Sequence, residues 1–194
     1  MTDEVDQPTA TGTRTASREG WKRTGQDLLV WLRTLSSAAV YATLIVTFGF
    51  QVARVDGRSM EPTLEHQDRL VVNKLAYRLH DPQIGDVVML LNPLNPDETL
   101  VKRIVAGPGE SISITGGRVA RNGVAVDEGF LPPGYRSSDT RAAERVPAGH
   151  YFVLGDHRTN NSDSRSFGVV PKKYILGKVQ VRWWPIDRAR VFAP

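Results

Sequence analysis

The chain has 194 residues, of which 40% are hydrophobic and 24% charged, a composition typical of a folded protein with room for one main core. It contains no cysteine, which excludes disulfide scaffolds, zinc–thiolate sites, cysteine proteases and CxxC redox proteins. The formal net charge is +4, and acidic and basic residues alternate without long runs of one sign. This pattern favours a solvated basic surface over a nucleic-acid partner.

Residues 1–27 are polar and almost free of apolar side chains, so we expect a disordered tail there. The stretch 34–53 is uncharged and is bounded by Arg33 and Arg54. As a helix it would be roughly 30 Å long, the thickness of a bilayer's hydrocarbon, and it predicts a transmembrane anchor within residues 28–54. A cleavable signal peptide is disfavoured because the polar lead is long. A buried soluble helix is the alternative that the moderate apolar content leaves open.

The charges beside this segment predict its orientation. Four basic residues precede it, and by the positive-inside tendency they keep the N-terminus cytoplasmic: Arg18, Lys22, Arg23 and Arg33. The rest of the chain would then be extracytoplasmic, held at the plasma membrane by a single span. Arg54 and Arg58 follow on the other side and reduce the asymmetry.

Residues 55–194 contain short apolar runs separated by Gly and Pro, which predicts a mainly β domain with an antiparallel sheet. The predicted strands are 69–73, 86–91, 99–105, 111–114, 151–154 and 178–183. Asn122 and Gly123 predict a tight hairpin turn, and a helical turn or two is expected at 74–79. The stretch 128–147 is polar and rich in Pro and Gly, so we expect a long exposed loop.

Ser59 is a candidate nucleophile because Gly and Pro bracket it in a turn that can be sharply shaped, although such serines are usually only turn residues. Four histidines leave a Ser-His-Asp triad open by count, but none lies in a metal-binding pattern. The other base that serves serine is an unprotonated lysine. Lys102 shares a strand face with Leu100 and Ile104, where desolvation would lower its pKa from about 10.4 toward about 7–8. A surface lysine on an edge strand is the simpler interpretation of that position alone.

A polar loop, residues 154–168, directly follows the predicted strand 151–154. Its many short hydrogen-bonding side chains could lock the loop against its own backbone, or bind an anion or calcium. An EF-hand is excluded because Phe167 occupies the twelfth position from Asp156, where a carboxylate is required.

Together these segments resemble the type I signal peptidases, a family of membrane-anchored serine proteases. GRSMEPTL (57–64) resembles the family's nucleophile motif, and GDVVML (85–90) resembles its intervening strand. VKRIVAGPGE (101–110) resembles its lysine motif, and GDHRTNNSDSR (155–165) resembles its terminal loop. Four motifs in the family's order behind one apolar segment make the resemblance specific.

The resemblance implies an endopeptidase that removes signal peptides from exported preproteins through a Ser-Lys dyad, with no cofactor and no metal. Ser59 would attack the scissile carbonyl, and neutral Lys102 would take its proton. The Ser59 amide would be one oxyanion donor; some members have a second donor serine where this chain has Gly57, so the second donor is left open. Met60 would line the site or touch the membrane surface.

The resemblance also implies that Asp163 and Arg165 are paired charges behind the lysine. Gly155, Asp156 and Arg158 match the start of the same loop, and the last two are implied as further supporting residues. Where the family commonly has a serine that hydrogen-bonds the lysine, this chain has Asn161, with Ser162 next to it. Either residue could make the contact, and the intact spacing of the loop favours Asn161. His157 replaces a more usual asparagine and is expected to hydrogen-bond only within the loop.

The partners implied are signal peptides, with small residues before the cut, and the lipid bilayer; the chain is expected to be a monomer. One alternative is a peptidase dedicated to a narrow set of precursors. Another is a non-catalytic membrane-anchored β scaffold, which the presence of both Ser59 and Lys102 disfavours. A soluble self-cleaving Ser-Lys repressor would need a DNA-binding module, and residues 1–53 contain no sign of one.

Overall fold

The computed structural model describes residues 16–159 and 162–192. The chain divides into two compact units, residues 1–45 and 46–194. Helix α1, Ala16–Gly49, provides the described part of the first unit. The second unit contains every strand that the structure describes.

Helix α1 differs from the prediction at both ends. Residues 16–27 are helical, where a disordered tail was expected, and the rest of the predicted tail, residues 1–15, lies outside the described residues. Extending an existing helix costs far less than starting one, so the apolar stretch behind this polar segment can propagate helix into it. The helix ends at Gly49, which leaves residues 34–49 as its uncharged part, about 24 Å long.

The residues after Gly49 form strand β1, Phe50–Arg54, instead of the last turn of an anchor helix. This strand pairs antiparallel along its whole length with β2, Arg69–Asn73. The Lys74 amide also donates to the Gly49 carbonyl at 2.8 Å. The strand that pairs with β1 begins at Arg69, 15 positions after Arg54. The amino-acid pattern of residues 34–53 alone therefore cannot predict this pairing.

None of the helices in the described part of the chain has both the length and the apolar content that crossing a membrane requires.

The remaining strands confirm the prediction of a mainly antiparallel β domain. They are β3 (Val87–Asn92), β4 (Asn95–Ala106), β5 (Ser111–Thr115), β6 (Arg118–Arg121), β7 (Val124–Ala125), β8 (Arg141–Arg145), β9 (His150–Leu154), β10 (Val170–Pro171), β11 (Ile175–Trp184) and β12 (Arg190–Val191). The larger sheet has eight strands in the order β1-β2-β11-β3-β4-β9-β10, with β12 paired to β11. The smaller sheet has the order β7-β6-β5-β8.

The six strands predicted from apolar runs are all present, and the largest difference is at β4, which begins at Asn95 rather than at residue 99. The hairpin at Asn122 and Gly123 is also confirmed. Both residues have positive φ, 54° and 79°, as a tight turn between twisted strands requires. Helix α2, Ala76–Leu79, lies within the helical stretch expected there.

Strand β3 lies at the centre of the core because β4 and β11 cover both of its edges. Val87 and Met89 pack into one hydrophobic cluster, whereas Val88 and Leu90 pack into another. Successive side chains of a strand point to opposite faces, so this strand is buried on both sides. A third cluster lies against the smaller sheet and is formed by residues that include Val105, Ile112, Ile114, Val119, Phe152 and Leu154.

The expectation of a long exposed loop at 128–147 is wrong in part. The segment contains a short 3₁₀ turn, Pro133–Tyr135, and strand β8, which pairs with β5. Leu131 and Val146 are buried, and so is Glu128. An edge strand is stabilised by backbone hydrogen bonds to its partner, so its own composition need not alternate between apolar and polar residues.

Short helices complete the described chain. Helix α3, Ser164–Phe167, follows the polar loop, and 3₁₀ turns lie at Lys172–Tyr174 and Ile186–Arg188. Helix α3 matters for the site because its N-cap residue is Asp163.

Candidate active site

Ser59 lies in the turn that joins β1 to β2. The base of this turn is closed by two backbone hydrogen bonds, Val55 N–H to Asp68 O at 2.8 Å and Gln67 N–H to Val55 O at 2.9 Å. Gly57 has a φ of 105°, a conformation that side-chain-bearing residues rarely adopt. The sequence bracket of Gly and Pro therefore corresponds to a sharply shaped turn, as predicted.

Met60 anchors this turn in the core. Its side chain is 1% exposed and lies in the same hydrophobic cluster as Val55, Leu64 and Leu70. The expectation that Met60 touches a membrane surface is therefore wrong, because the residue after Ser59 points into the protein.

The opposite end of the turn is held by an ion network that the sequence analysis did not find. Arg182 on β11 donates to the Thr63 carbonyl at 2.9 Å and to Asp68 Oδ2 at 3.1 Å. Asp68 is fully buried and also accepts from the Glu65 amide at 2.9 Å. Nothing near Arg182 in the sequence signals this role, because Thr63 and Asp68 lie 119 and 114 positions away from it.

Lys102 lies on β4, flanked by β3 and β9, and its side chain is 1% exposed. Its Nζ lies 2.6 Å from Ser59 Oγ, within hydrogen-bond distance. Lys102 was predicted to share a strand face with Leu100 and Ile104. Ile104 is fully buried, and Leu100 is partly buried. The two residues that sequence motifs singled out are thus in direct contact.

Burial is the main cause of a lowered pKa for Lys102, which falls from 10.5 to about 8. Three charged groups modify this effect: Arg165 lowers the pKa further, whereas Asp163 and Asp156 raise it. An ammonium loses hydration when it is buried, so the neutral amine is favoured. A neutral amine 2.6 Å from a hydroxyl can act as a general base.

Asp163 and Arg165 form the ion pair that the resemblance implied. The guanidinium binds the carboxylate through two hydrogen bonds, of 2.9 Å from Nε and 2.6 Å from Nη2. Asp163 also caps α3 and accepts from the Gly155 amide at 3.1 Å. Arg165 has a second carboxylate partner, Asp139 at 2.6 Å, which sequence reasoning placed in an exposed loop.

Asp156 has a partner on the lysine strand itself. Arg103, the residue after Lys102, binds Asp156 through two hydrogen bonds of 2.9 and 2.7 Å. The Arg103 guanidinium also lies 4.5 Å from the ring centre of Phe130. Arg103 therefore ties β4 to the terminal loop, a role that its position next to Lys102 in the sequence does not indicate.

The terminal loop presses directly on the backbone of Ser59. A Cβ added at Gly155 would lie 2.5 Å from the Ser59 carbonyl oxygen, closer than any side chain allows. The His157 amide donates to the same oxygen at 3.1 Å. His157 Nδ1 also lies 3.2 Å from the Arg58 carbonyl, so the expectation that His157 bonds only within its loop is wrong.

Arg158 is 2% exposed and forms an ion pair with Glu128, with 2.5 Å between Nη1 and Oε1. Its Nε donates to the Gly155 carbonyl at 2.9 Å. The sequence analysis named Arg158 as a supporting residue but missed Glu128, which lies in the segment expected to be exposed. The local sequence, with Asp127 before Glu128 and Gly129 after it, gives no signal of this burial.

Asn161 and Ser162 are the two candidate contacts of Lys102 in the terminal loop. Asn161 lies outside the described residues, and Ser162 is exposed.

The second oxyanion donor was left open because this chain has Gly57 where some members have a serine. The Gly57 amide already donates to His66 Nδ1 at 3.2 Å. In residues 16–159 and 162–192, no group of three or more His, Cys, Asp or Glu side chains is arranged to hold a metal ion.

Comparison with known proteins gives matches along most of the chain. The profile of a family described as signal peptidase, peptidase S26, matches residues 28–184. A signal peptidase I from Leptolyngbya laminosa is 34% identical over 203 aligned positions, covering 100% of this chain and 98% of the relative. A probable signal peptidase I-2 from Synechocystis is 33% identical and covers 97% and 84%. The crystal structure of a signal peptidase I from Enterococcus faecalis V583 has 29% identity and a TM-score of 0.46, covering 52% of this chain and 98% of that one.

Proposed function

Because the chain belongs to the signal peptidase family, peptidase S26, we propose that it is a serine endopeptidase that removes signal peptides from exported preproteins with Ser59 and Lys102 as its dyad. The observation that carries this proposal is the 2.6 Å contact between Ser59 Oγ and Lys102 Nζ, made by a lysine that is 1% exposed. Each feature alone has an ordinary structural explanation. A buried lysine in hydrogen-bond contact with a serine hydroxyl on a sharply shaped turn favours catalysis.

In the proposed acylation step, Ser59 Oγ attacks the carbonyl carbon of the scissile peptide while its proton passes to the neutral amine of Lys102. The resulting oxyanion accepts a hydrogen bond from the Ser59 amide. The C–N bond then breaks, and the ammonium of Lys102 returns the proton to the leaving amine. The products of this step are the mature protein and an ester between the signal peptide and Ser59.

In the proposed deacylation step, neutral Lys102 takes a proton from a water molecule that attacks the ester. The proton then passes to Ser59 Oγ as the acyl bond breaks, which restores the hydroxyl and the neutral amine. With a lysine pKa of about 8, about one tenth of the molecules hold the neutral amine at pH 7. Burial keeps this fraction far above that of an ordinary surface lysine.

The supporting residues act on the position and the charge of the lysine. Arg165 neutralises Asp163, which would otherwise favour the ammonium, and Arg103 does the same for Asp156. Both carboxylates are fully buried, so their paired state matters for the charge that Lys102 experiences. We therefore assign these two ion pairs to support of the dyad rather than to contact with substrate.

We also propose that the apolar part of α1 holds the chain at a membrane with the second unit outside the cytoplasm. Large apolar side chains along this helix are exposed to solvent, between 47% and 67%, and would be covered by lipid: Leu28, Leu29, Val30, Trp31, Leu32, Leu35, Val40, Tyr41, Leu44 and Phe48. Soluble proteins rarely leave so long an apolar surface exposed to water.

Sedimentation of the full chain with membranes, and protection of its N-terminal tail from protease added outside intact cells, would support this topology. Recovery of the full chain in the soluble fraction would contradict it.

The experiment that tests the proposed activity is incubation of the purified full chain with a synthetic preprotein, followed by N-terminal sequencing of the product. Ser59→Ala and Lys102→Ala are each expected to abolish cleavage while leaving the domain folded. Ser138→Ala and Lys173→Ala are matched controls, because both residues are exposed, and they should cleave normally. Normal cleavage by either dyad variant would contradict the assignment.

A further inference from the structure

The ion pair between Glu128 and Arg158 is a buried charged contact near the site, and neither the motifs nor the proposed chemistry uses its acidic member, Glu128. Glu128 is 8% exposed and Arg158 is 2% exposed, with 2.5 Å between the carboxylate and the guanidinium. Burying two charges removes their hydration, and the attraction between them only offsets this cost when the geometry is good. Such a pair is therefore a poor source of stability, and a role in fixing a geometry is the better explanation.

Arg158 connects this pair to the backbone of the nucleophile. Its Nε donates to the Gly155 carbonyl at 2.9 Å, and Gly155 lies so close to the Ser59 carbonyl that a methyl group would not fit between them. His157, which lies between Gly155 and Arg158 in the sequence, donates from its amide to the Ser59 carbonyl at 3.1 Å. The place of Ser59 thus depends on the place of the turn formed by residues 155–158.

The main chain of Glu128 is held by two hydrogen bonds. Its carbonyl accepts from the Leu131 amide at 2.9 Å and from Arg136 Nη2 at 3.1 Å. The same segment contacts the terminal loop again, because the Arg158 amide donates to the Tyr135 carbonyl at 2.8 Å. The main chain of Glu128 is therefore fixed beside the terminal loop, and from there its carboxylate forms the ion pair with Arg158.

We propose that Glu128 is a positioning residue that acts through Arg158 to hold residues 155–158 against Ser59, and so keeps the serine hydroxyl within reach of Lys102. This inference rests on the proposed function for its kinetic consequence. The charged groups that alter the pKa of Lys102 are Asp163, Arg165 and Asp156. Glu128 acts on the dyad through position and not through its own charge.

The test compares Glu128→Gln with the matched variant Glu144→Gln in the purified full chain. Glu144 also pairs with an arginine, Arg141 at 3.0 Å, but its side chain is 34% exposed. For Glu128→Gln we expect kcat on a synthetic preprotein to fall about 10- to 100-fold with KM nearly unchanged, because the nucleophile is displaced while the substrate surface is not. Glu144→Gln should match the wild type. Wild-type kcat in Glu128→Gln would overturn the proposal.

A crystal structure of Glu128→Gln gives a readout that does not depend on activity. We expect Ser59 Oγ to lie beyond hydrogen-bond reach of Lys102 Nζ; an unchanged distance would overturn the proposal. If the dyad itself were wrongly assigned, Ser59→Ala would still cleave while this displacement was nevertheless seen, so the two failures are distinguishable.

The double variant Glu128→Leu/Arg158→Met keeps the inference testable if Glu128→Gln does not fold. Replacing a buried ion pair by apolar side chains of similar volume often preserves stability. The double variant lacks the hydrogen bond from Arg158 to Gly155, so we expect a folded protein with the same loss in kcat. Full wild-type kcat in the double variant would show that the pair only fills space and would overturn the proposal.

Discussion

Ser59 Oγ and Lys102 Nζ lie 2.6 Å apart although 43 residues separate them along the chain. The serine sits on a turn between two strands at one edge of the larger sheet, and the lysine sits on a strand further inside that sheet. The terminal loop lies against the serine, because Gly155 and His157 contact the Ser59 carbonyl. The distance between hydroxyl and amine is therefore set by three separate parts of the chain.

The first prediction concerns the pH dependence of cleavage. Only the neutral amine of Lys102 can accept the serine proton, and its pKa is lowered to about 8 by burial. We expect kcat/KM to rise about tenfold for each pH unit below 8 and to level off above it. Rates measured on a synthetic preprotein between pH 5 and 10 would check this. A rate that is already constant from pH 5 upward would contradict a neutral lysine base.

The second prediction concerns stability. The folded pKa of Lys102 is about 8 and the ordinary value is 10.5, so the unfolded chain binds more protons between these two pH values. The buried lysine therefore costs about 3 kcal/mol below pH 8, and this cost disappears as the pH rises toward 10.5. Lys102→Met, which fills the same space without a charge, should be more stable than the wild type below pH 8.

The measurement is the difference in unfolding free energy between Lys102→Met and the wild type at several pH values. This difference should be constant below pH 8 and should shrink between 8 and 10.5. A difference that stays the same across this whole range would mean that Lys102 titrates like a surface lysine.

The third prediction concerns the close approach of Gly155 to Ser59. In Gly155→Ala the new methyl group would lie 2.5 Å from the Ser59 carbonyl oxygen, so one backbone segment must move. We expect a loss of about 1–3 kcal/mol in unfolding free energy and a fall of about 100-fold in kcat. Gly134→Ala is the control, since nothing lies within 4 Å of its added Cβ. Equal behaviour of the two variants in denaturant titration and cleavage would refute the predicted contact.

The fourth prediction addresses the departure from the family pattern in the terminal loop. Asn161 occupies the position where a serine commonly contacts the catalytic lysine, and Ser162 follows it. If the Asn161 amide oxygen makes this contact, Asn161→Ala should lower kcat more than Ser162→Ala does. Turnover of the two variants on the same preprotein decides between them, and a larger loss in Ser162→Ala would assign the contact to the hydroxyl.

Local sequence patterns were sufficient where a structure depends on neighbouring residues. Alternating or continuous apolar runs predicted the main strands, and Asn122 and Gly123 predicted a hairpin because a tight turn needs positive φ at both positions. The motifs also identified Ser59 and Lys102, the two residues that lie in contact.

Patterns failed where a partner lies far away along the chain. Residues 50–53 end the uncharged stretch and were expected to be helical, but pairing with β2 makes residues 50–54 a strand. Met60 was expected either to line the site or to touch the membrane surface, and its burial in the hydrophobic cluster beneath the turn contradicts the second of these. Glu128 lies in a polar stretch that was expected to be an exposed loop, but in the folded chain it is buried and paired with Arg158.

The sequence by itself determined the β class of the second unit, the hairpin, and which serine and lysine belong together. These follow from propensities and motifs that are complete within a few residues. Only the tertiary structure decided the distance between the two groups, the burial that lowers the pKa of Lys102, and the ion pairs of Arg103, Arg158 and Arg165. Desolvation and charge pairing depend on which side chains meet after folding, and that is a property of the packed chain rather than of any one segment.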